Sequence, residues 1–173
     1  APGTEALELA APLRLCLDQA LPLSDLPATR AERAGGGSRV VIGVVDTGID
    51  WSHAGFRDDD GRTRVAWLMD VSLPARGEHP DLARFDAAIW SQDELQAAID
   101  DPDTIPSLDT VGHGTHVAGI ATGRGAGTSL HADGVAPEAT LIAVRATRDD
   151  GFYLDDADIL TGVDFVLDRA DAA

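Results

Sequence analysis

The chain has 173 residues, of which 44% are hydrophobic, so it is long enough for one domain with a buried core and too short for two. Its 30 acidic residues against 13 basic residues give a formal net charge of −17, which argues against nucleic acid or an anionic membrane as a partner. Cys16 is the only cysteine, which excludes an intrachain disulfide, and no apolar run approaches the length of a membrane span.

Residues 1–37 precede the first predicted strand. The first 34 are rich in alanine and leucine, and Pro12, Pro22 and Pro27 prevent them from forming one long helix. We expect this stretch to be an apolar lead-in that packs on the core. The glycines at 35–37 should form a flexible joint between the lead-in and the rest of the domain.

Strands and helices alternate after the joint. The first strand is continuously apolar and β-branched, as expected of a strand buried on both faces of a parallel sheet. Ser91 and Glu94 have the spacing of a capping box at the start of a helix, whereas residues 71–90 show no clear period. The predicted strands lie at 40–45, 63–70 and 140–145, and the predicted helices at about 91–99, 113–122 and 156–169. This alternation predicts right-handed βαβ crossovers in an α/β fold.

Asp46 lies where the first strand gives way to the turn Thr47-Gly48. In an open α/β sheet the reactive residues gather outside the carboxyl ends of the strands. A carboxylate at this position can hold the Nδ1 proton of an imidazole and stabilise the cation that forms when the imidazole accepts a proton. The alternative is an aspartate that only caps the turn.

His113 opens a predicted helix and stands between two glycines, Gly112 and Gly114. The positive end of the helix dipole disfavours an imidazolium, so we expect the ring to stay neutral and basic near neutral pH. The two glycines leave room for close approach of another segment. A structural histidine is the alternative.

Two segments, VVDTGID at 44–50 and GHGTHVAG at 112–119, resemble those of the subtilisin-like serine peptidases, or subtilases. The resemblance covers most of residues 38–169 and includes GVAPEA at 134–139. It implies a three-layer α/β/α fold with a mostly parallel sheet, incomplete at the C-terminus. By this resemblance Asp46 is the orienting aspartate of a catalytic triad and His113 the general base.

The resemblance also implies how the chain is organised and what it binds. Residues 1–173 would be a single partial peptidase domain with its catalytic core at 38–173, and the substrate would be a protein or peptide. Gly151 and Tyr153 resemble the family's edge segment, to which a substrate adds as an antiparallel strand, although a plain surface turn is an equal alternative. Secretion is usual in the family, but no residue of the chain indicates the compartment.

The chain departs from the family pattern in three places. Residues 57–108 resemble the insertion of a larger-looped subgroup. His53-Ala54-Gly55 stands where many members have His-Pro-Asp, so no calcium site and no other cofactor is expected. The serine and the oxyanion asparagine would come from the remainder of the catalytic domain, since Ser129 precedes a loop and a strand rather than a helix. The isolated chain should therefore be inactive.

Three other interpretations of the sequence stand beside this one. Asp-Thr-Gly is also the signature of aspartic peptidases, which would require a second such triplet and an all-β fold. His113 and His116 could hold a metal, although zinc hydrolases more often use histidines four apart around a glutamate. The third is a non-catalytic half-domain that binds a peptide or protein. A sheet cut partway would also expose apolar surface and favour self-association.

Overall fold

The computed structural model describes residues 36–125, 133–149 and 153–171. The predicted lead-in at 1–34, Ser129 and Gly151 lie outside these ranges. The described residues form a four-stranded sheet whose strands, in chain order, are β1 (Val41–Asp46), β2 (Val65–Asp70), β3 (Ala88–Ser91) and β4 (Thr140–Arg145). In space the order is β1-β4-β2-β3.

Three of the four strands run parallel. β4 lies between β1 and β2 and pairs with both in parallel, so that Arg145 stands opposite Asp46 on one side and Asp70 on the other. The carboxyl ends of these strands therefore meet at one edge of the sheet. β3 pairs with β2 in the antiparallel direction at the end of the sheet.

The α-helices agree closely with the predicted ones. They are α1 (Gln92–Ala97), α2 (His113–Thr122) and α3 (Asp156–Ala170), and short 3₁₀ helices lie at Ala54–Phe56, Pro80–Phe85 and Pro102–Thr104. The predicted capping box of α1 is confirmed: the Glu94 carboxylate accepts hydrogen bonds from the Ser91 backbone N–H at 2.8 Å and from its hydroxyl at 2.9 Å. No helix in the described ranges is long and apolar enough to cross a membrane.

The core has two parts, one on each face of the sheet. Leu141 and Ala143 of β4 pack on the side covered by α1 and α2, where Leu95 and Ala118 are buried. Residues 142 and 144 point to the other side, where Phe165 of α3 packs with them. Because the residues at 141–144 of β4 alternate between two covered faces, all four are apolar. The predicted three-layer α/β/α architecture is confirmed.

The structure contains four short elements that the sequence pattern did not predict, β3 and the three 3₁₀ helices. The 3₁₀ helix Pro80–Phe85 and all of β3 except Ser91 lie in the segment 71–90, which has no clear period. β3 is only four residues long, and Ala88, Ile89 and Trp90 are all buried, so it shows no alternation. A short run of this kind carries too few residues for a periodic signal.

Candidate active site

Asp46 is the last residue of β1, at the edge where the parallel strands end. Its side chain is only 13% exposed, and its Oδ1 accepts a hydrogen bond of 2.7 Å from the backbone N–H of Thr47. On the strand side, the Asp46 carbonyl accepts the N–H of Ala146 at 2.8 Å. The carboxylate is thus held at a fixed position and direction by its own turn and by β4.

His113 is the first residue of α2, and the structure brings it onto Asp46. Its Nδ1 lies 2.8 Å from Asp46 Oδ1. Because an ionised carboxylate can only accept, Nδ1 must carry the proton of this hydrogen bond. The imidazole side chain is 59% exposed, and Nε2 has no hydrogen-bond partner among the described residues. The arrangement leaves Nε2 as an accessible basic atom.

The electrostatics of His113 differ from the expectation based on the helix dipole. The hydrogen bond to Asp46 and the charge of that carboxylate raise the pKa of His113, and the charge of Asp109 acts in the same direction. The two carboxylates therefore favour the imidazolium rather than the neutral ring. An acidic neighbour in direct contact outweighs the partial charge at a helix end.

Two glycines allow the close approach of the helix to the strand. Gly112 has a φ of 85° at the N-cap of α2, a left-handed conformation that glycine adopts without cost. A Cβ added to Gly114 would overlap the carbonyl oxygen of Gly48 and would lie 3.0 Å from the Cβ of Asp46. The prediction that the flanking glycines make room for another segment is confirmed for Gly114.

Asp109 is a prominent residue of the site that the sequence analysis missed. Its Oδ1 accepts hydrogen bonds of 2.8 Å from the Thr47 hydroxyl and 2.8 Å from the Gly112 N–H. Its Oδ2 accepts the N–H of Thr115 at 2.8 Å and the hydroxyl of the same residue at 2.6 Å. Burial acts to raise the pKa of this carboxyl group, but the hydrogen bonds from Thr115, Gly112 and Thr47 outweigh it and lower the pKa.

One signal in the sequence points to such a residue. The N-cap of α2 is a glycine, which has no side chain to accept the free N–H groups of the first helical turn. An acceptor must therefore come from elsewhere, and the nearest acidic residue upstream is Asp109. Thr47 is a second acceptor from outside the helix, and its hydroxyl accepts the Gly114 N–H at 3.0 Å.

The other predicted residues lie apart from this contact. His116 is exposed, and its Nδ1 donates to the carbonyl of Gly112 one turn earlier. Tyr153 is 86% exposed, and Gly151 lies outside the described residues. Within the described ranges no group of three or more histidine, cysteine, aspartate or glutamate side chains could hold a metal ion.

The comparisons with known proteins identify the family of the chain. The model of the subtilase family matches residues 37–171. The chain is 28% identical over 154 residues to the subtilisin-like protease SBT1.9 of Arabidopsis thaliana, and 32% identical over 132 residues to the serine protease AprX of Bacillus subtilis. These matches cover 74% and 75% of the chain but only 19% and 28% of the two relatives.

A solved structure gives the same result. The CspB protease of Clostridium perfringens superposes with a TM-score of 0.74 at 25% identity, and the match covers 88% of this chain and 30% of that one. The chain therefore spans less than a third of the length of each of these three proteins. The family model alone covers most of the chain, from the start of β1 to the end of α3. The chain belongs to the subtilase family of serine peptidases.

Proposed function

We propose that this chain supplies the orienting aspartate and the general base of a serine endopeptidase. The observation that carries the proposal is the hydrogen bond of 2.8 Å between Asp46 and His113, with Nε2 exposed on the far side of the ring. Asp46 holds the proton on Nδ1, so Nε2 has a lone pair with which to accept a proton. An exposed base of this kind needs only a nucleophile brought within reach.

The proposed reaction is the hydrolysis of a peptide bond. A serine from a segment outside the described ranges gives its proton to Nε2 of His113 as its hydroxyl oxygen attacks the substrate carbonyl. The imidazolium, stabilised by Asp46, then protonates the leaving amine, and a water molecule hydrolyses the acyl-enzyme by the reverse sequence. An asparagine from the same outside segment would stabilise the oxyanion.

Tyr153 and Gly151 stay a prediction for the substrate-binding edge. The exposed phenol ring of Tyr153 supports it, since a side chain that walls a peptide subsite must be accessible. Asp149, four positions earlier, is held at the same edge of the sheet, because a guanidinium nitrogen of Arg145 donates to its carbonyl at 3.1 Å. A protein or peptide substrate added there would pass close to the carboxyl ends of the strands.

The test uses the full-length product of the gene that encodes these residues. We expect it to cleave casein and to react with a fluorophosphonate, which labels activated serines. His113→Ala should reduce kcat by about 10⁴-fold or more, because the serine loses its base. His53→Gln, at an exposed loop histidine, is the control and should cleave normally. Near-normal cleavage by the His113→Ala variant would show that the assignment is wrong.

The same experiment separates the peptidase from a non-catalytic peptide-binding domain. A binding domain would retain casein peptides without cleaving them and would not react with the fluorophosphonate. Its affinity for the peptides would also be unchanged by His113→Ala if the imidazole does not contact the peptide. Cleavage that depends on both Asp46 and His113 is the outcome that supports the proposed function.

A further inference from the structure

We propose that Asp109 is a positioning residue that sets the imidazole of His113 on Asp46 by joining the start of α2 to the end of β1. The inference rests on the proposed function for its catalytic consequence. Asp109 touches neither of the two side chains directly. Its carboxylate instead accepts hydrogen bonds from the residues next to each of them.

The contacts of Asp109 are divided between the two partners of the site. Thr47, which follows Asp46, donates its hydroxyl to Oδ1. Gly112 and Thr115, which lie on either side of His113, donate their N–H groups to Oδ1 and Oδ2. The Asp109 carboxylate therefore fixes the distance between the end of β1, which carries Asp46, and the start of α2, which carries His113.

The direction of each hydrogen bond follows from the donors available. The Thr47 hydroxyl accepts the Gly114 N–H and gives its only proton to Asp109. The Thr115 hydroxyl likewise accepts the Asp50 N–H at 2.9 Å and gives its proton to Asp109. Both hydroxyl groups therefore donate to the Asp109 carboxylate. With the N–H groups of Gly112 and Thr115 it accepts four hydrogen bonds, which requires the ionised form.

The network continues to the atom that holds the imidazole. Thr47 donates its N–H to Asp46 Oδ1, the same oxygen that accepts Nδ1 of His113. A shift of Thr47 therefore moves the acceptor, and a shift of Gly112 or Thr115 moves the donor. A displacement of about 1 Å between reacting groups can cost about a hundredfold in rate.

Replacing Asp109 by asparagine tests this arrangement with little change in size. A backbone N–H points at each oxygen of Asp109, and a backbone N–H cannot reorient as a hydroxyl can. The NH₂ group of asparagine must therefore face either Gly112 or Thr115 donor to donor. Asp58→Asn is the matched control, because both of its backbone contacts, from Asp60 and Arg62, go to the one oxygen Oδ1.

The first measurement is an NMR titration of the His113 ring in the 173-residue chain. The charged groups that face this ring in the described structure are Asp46 from β1 and Asp109 from the loop before α2. We expect Asp109→Asn to lower the pKa of His113 and to weaken the downfield Nδ1 proton signal, whereas Asp58→Asn changes neither. Loss of the Asp109 charge lowers the pKa of His113 by itself, so the Nδ1 proton signal is the readout of positioning, and a variant that loses only charge or stability would keep it.

The second measurement is the pH profile of the full-length peptidase. Asp109→Asn should lower kcat by about tenfold or more with KM nearly unchanged, and should move the acid limb to lower pH. Thr115→Val should act in the same direction, and Thr115→Ser, which keeps the hydroxyl, should restore activity. This pair keeps the test decisive if Asp109→Asn does not fold.

The outcomes separate this inference from the proposed function. A full-length protein without peptidase activity, but with a weakened Nδ1 proton signal of His113 in Asp109→Asn, would contradict the function and support the positioning role. An active enzyme whose kcat and Nδ1 proton signal are unchanged in Asp109→Asn would overturn the positioning role. Equal activities of Thr115→Val and Thr115→Ser would overturn it as well.

Discussion

The carboxylate of Asp46 contributes to the site in two ways. It accepts the Nδ1 proton of His113, and its charge raises the pKa of the ring. Since the pKa is raised in the folded state, protonated His113 stabilises the fold at low pH, and this contribution is lost as the pH rises through the folded-state pKa. Catalysis needs the neutral ring, so the rate of the proposed reaction should fall as the pH falls through the same pKa.

Asp46→Asn tests this electrostatic coupling directly. The amide oxygen of asparagine can still accept the Nδ1 proton, but the negative charge is lost. We expect the pKa of His113 to fall in an NMR titration of the 173-residue chain. Asp58→Asn, which removes a charge from a turn away from the ring, serves as the control. An unchanged pKa of His113 in Asp46→Asn would contradict the contact described here.

Some residues of the site could be named from the sequence and some could not. Asp46 and His113 stand in local patterns, the end of an apolar strand and a glycine-flanked helix start, which can be read within a few residues. For Asp109 the glycine N-cap of α2 gives only a partial signal, because its contact with Thr47, 62 positions away in the chain, cannot be read from local sequence. The raised pKa of His113 was unpredictable for the same reason: it depends on which carboxylates the fold brings to the ring.

At the scale of elements, the site depends on how closely α2 approaches β1. Gly114 lies on the face of α2 that meets the turn after Asp46, whereas Gly119 of the same helix has open space where a Cβ would be. Both glycines belong to the same helix, but only Gly114 packs closely against another segment. They offer a matched pair for measuring how tight the helix–strand contact is.

We expect Gly114→Ala to lower the free energy of unfolding by about 1–3 kcal/mol, because the added methyl group overlaps the backbone of Gly48. Gly119→Ala should instead raise it by about 0.5–1 kcal/mol, since alanine favours a helix over glycine. Urea unfolding of the 173-residue chain measures both. Equal effects of the two substitutions would mean that α2 does not pack on β1 as described.

The elements themselves were predictable where a long pattern carried them. β4 and α2 lie at their predicted bounds, because a strand with four consecutive apolar residues and a helix bounded by glycines are strong signals. β3 was missed, and with it the antiparallel end of the sheet, since its three apolar residues are buried on both faces and show no period. This strand forms because it pairs with β2, and such pairing cannot be read from the residues of β3 alone.

The whole molecule exposes apolar side chains on one face of α3. Leu160 is 69% exposed and Leu167, two turns further on, is 61% exposed, with the exposed Val163 between them. This spacing places the three on the same side of the helix. Apolar side chains grouped in this way on a surface favour association in water.

We therefore expect the 173-residue chain to self-associate, as its sequence indicated. Sedimentation velocity should show a weight-average mass that rises with concentration. The double substitution Leu160→Gln and Leu167→Gln should reduce this rise, whereas Leu154→Gln, at an exposed leucine before the helix, should not. A wild-type chain that sediments as a monomer at every concentration would contradict the prediction.

The order of the strands in space also sets the timing of folding during synthesis. β4, the strand that pairs with β1 among the described residues, is made about 100 residues after it, the same separation that the contact of Thr147 with Thr47 spans. At a synthesis rate of about 5–20 residues per second, β1 waits roughly 5–20 s with its backbone groups unpaired. Pairing between segments so far apart is slow and leaves apolar strands open to aggregation. The yield of folded chain in a cell should therefore depend on whatever shields β1 during those seconds as well as on the stability of the finished sheet.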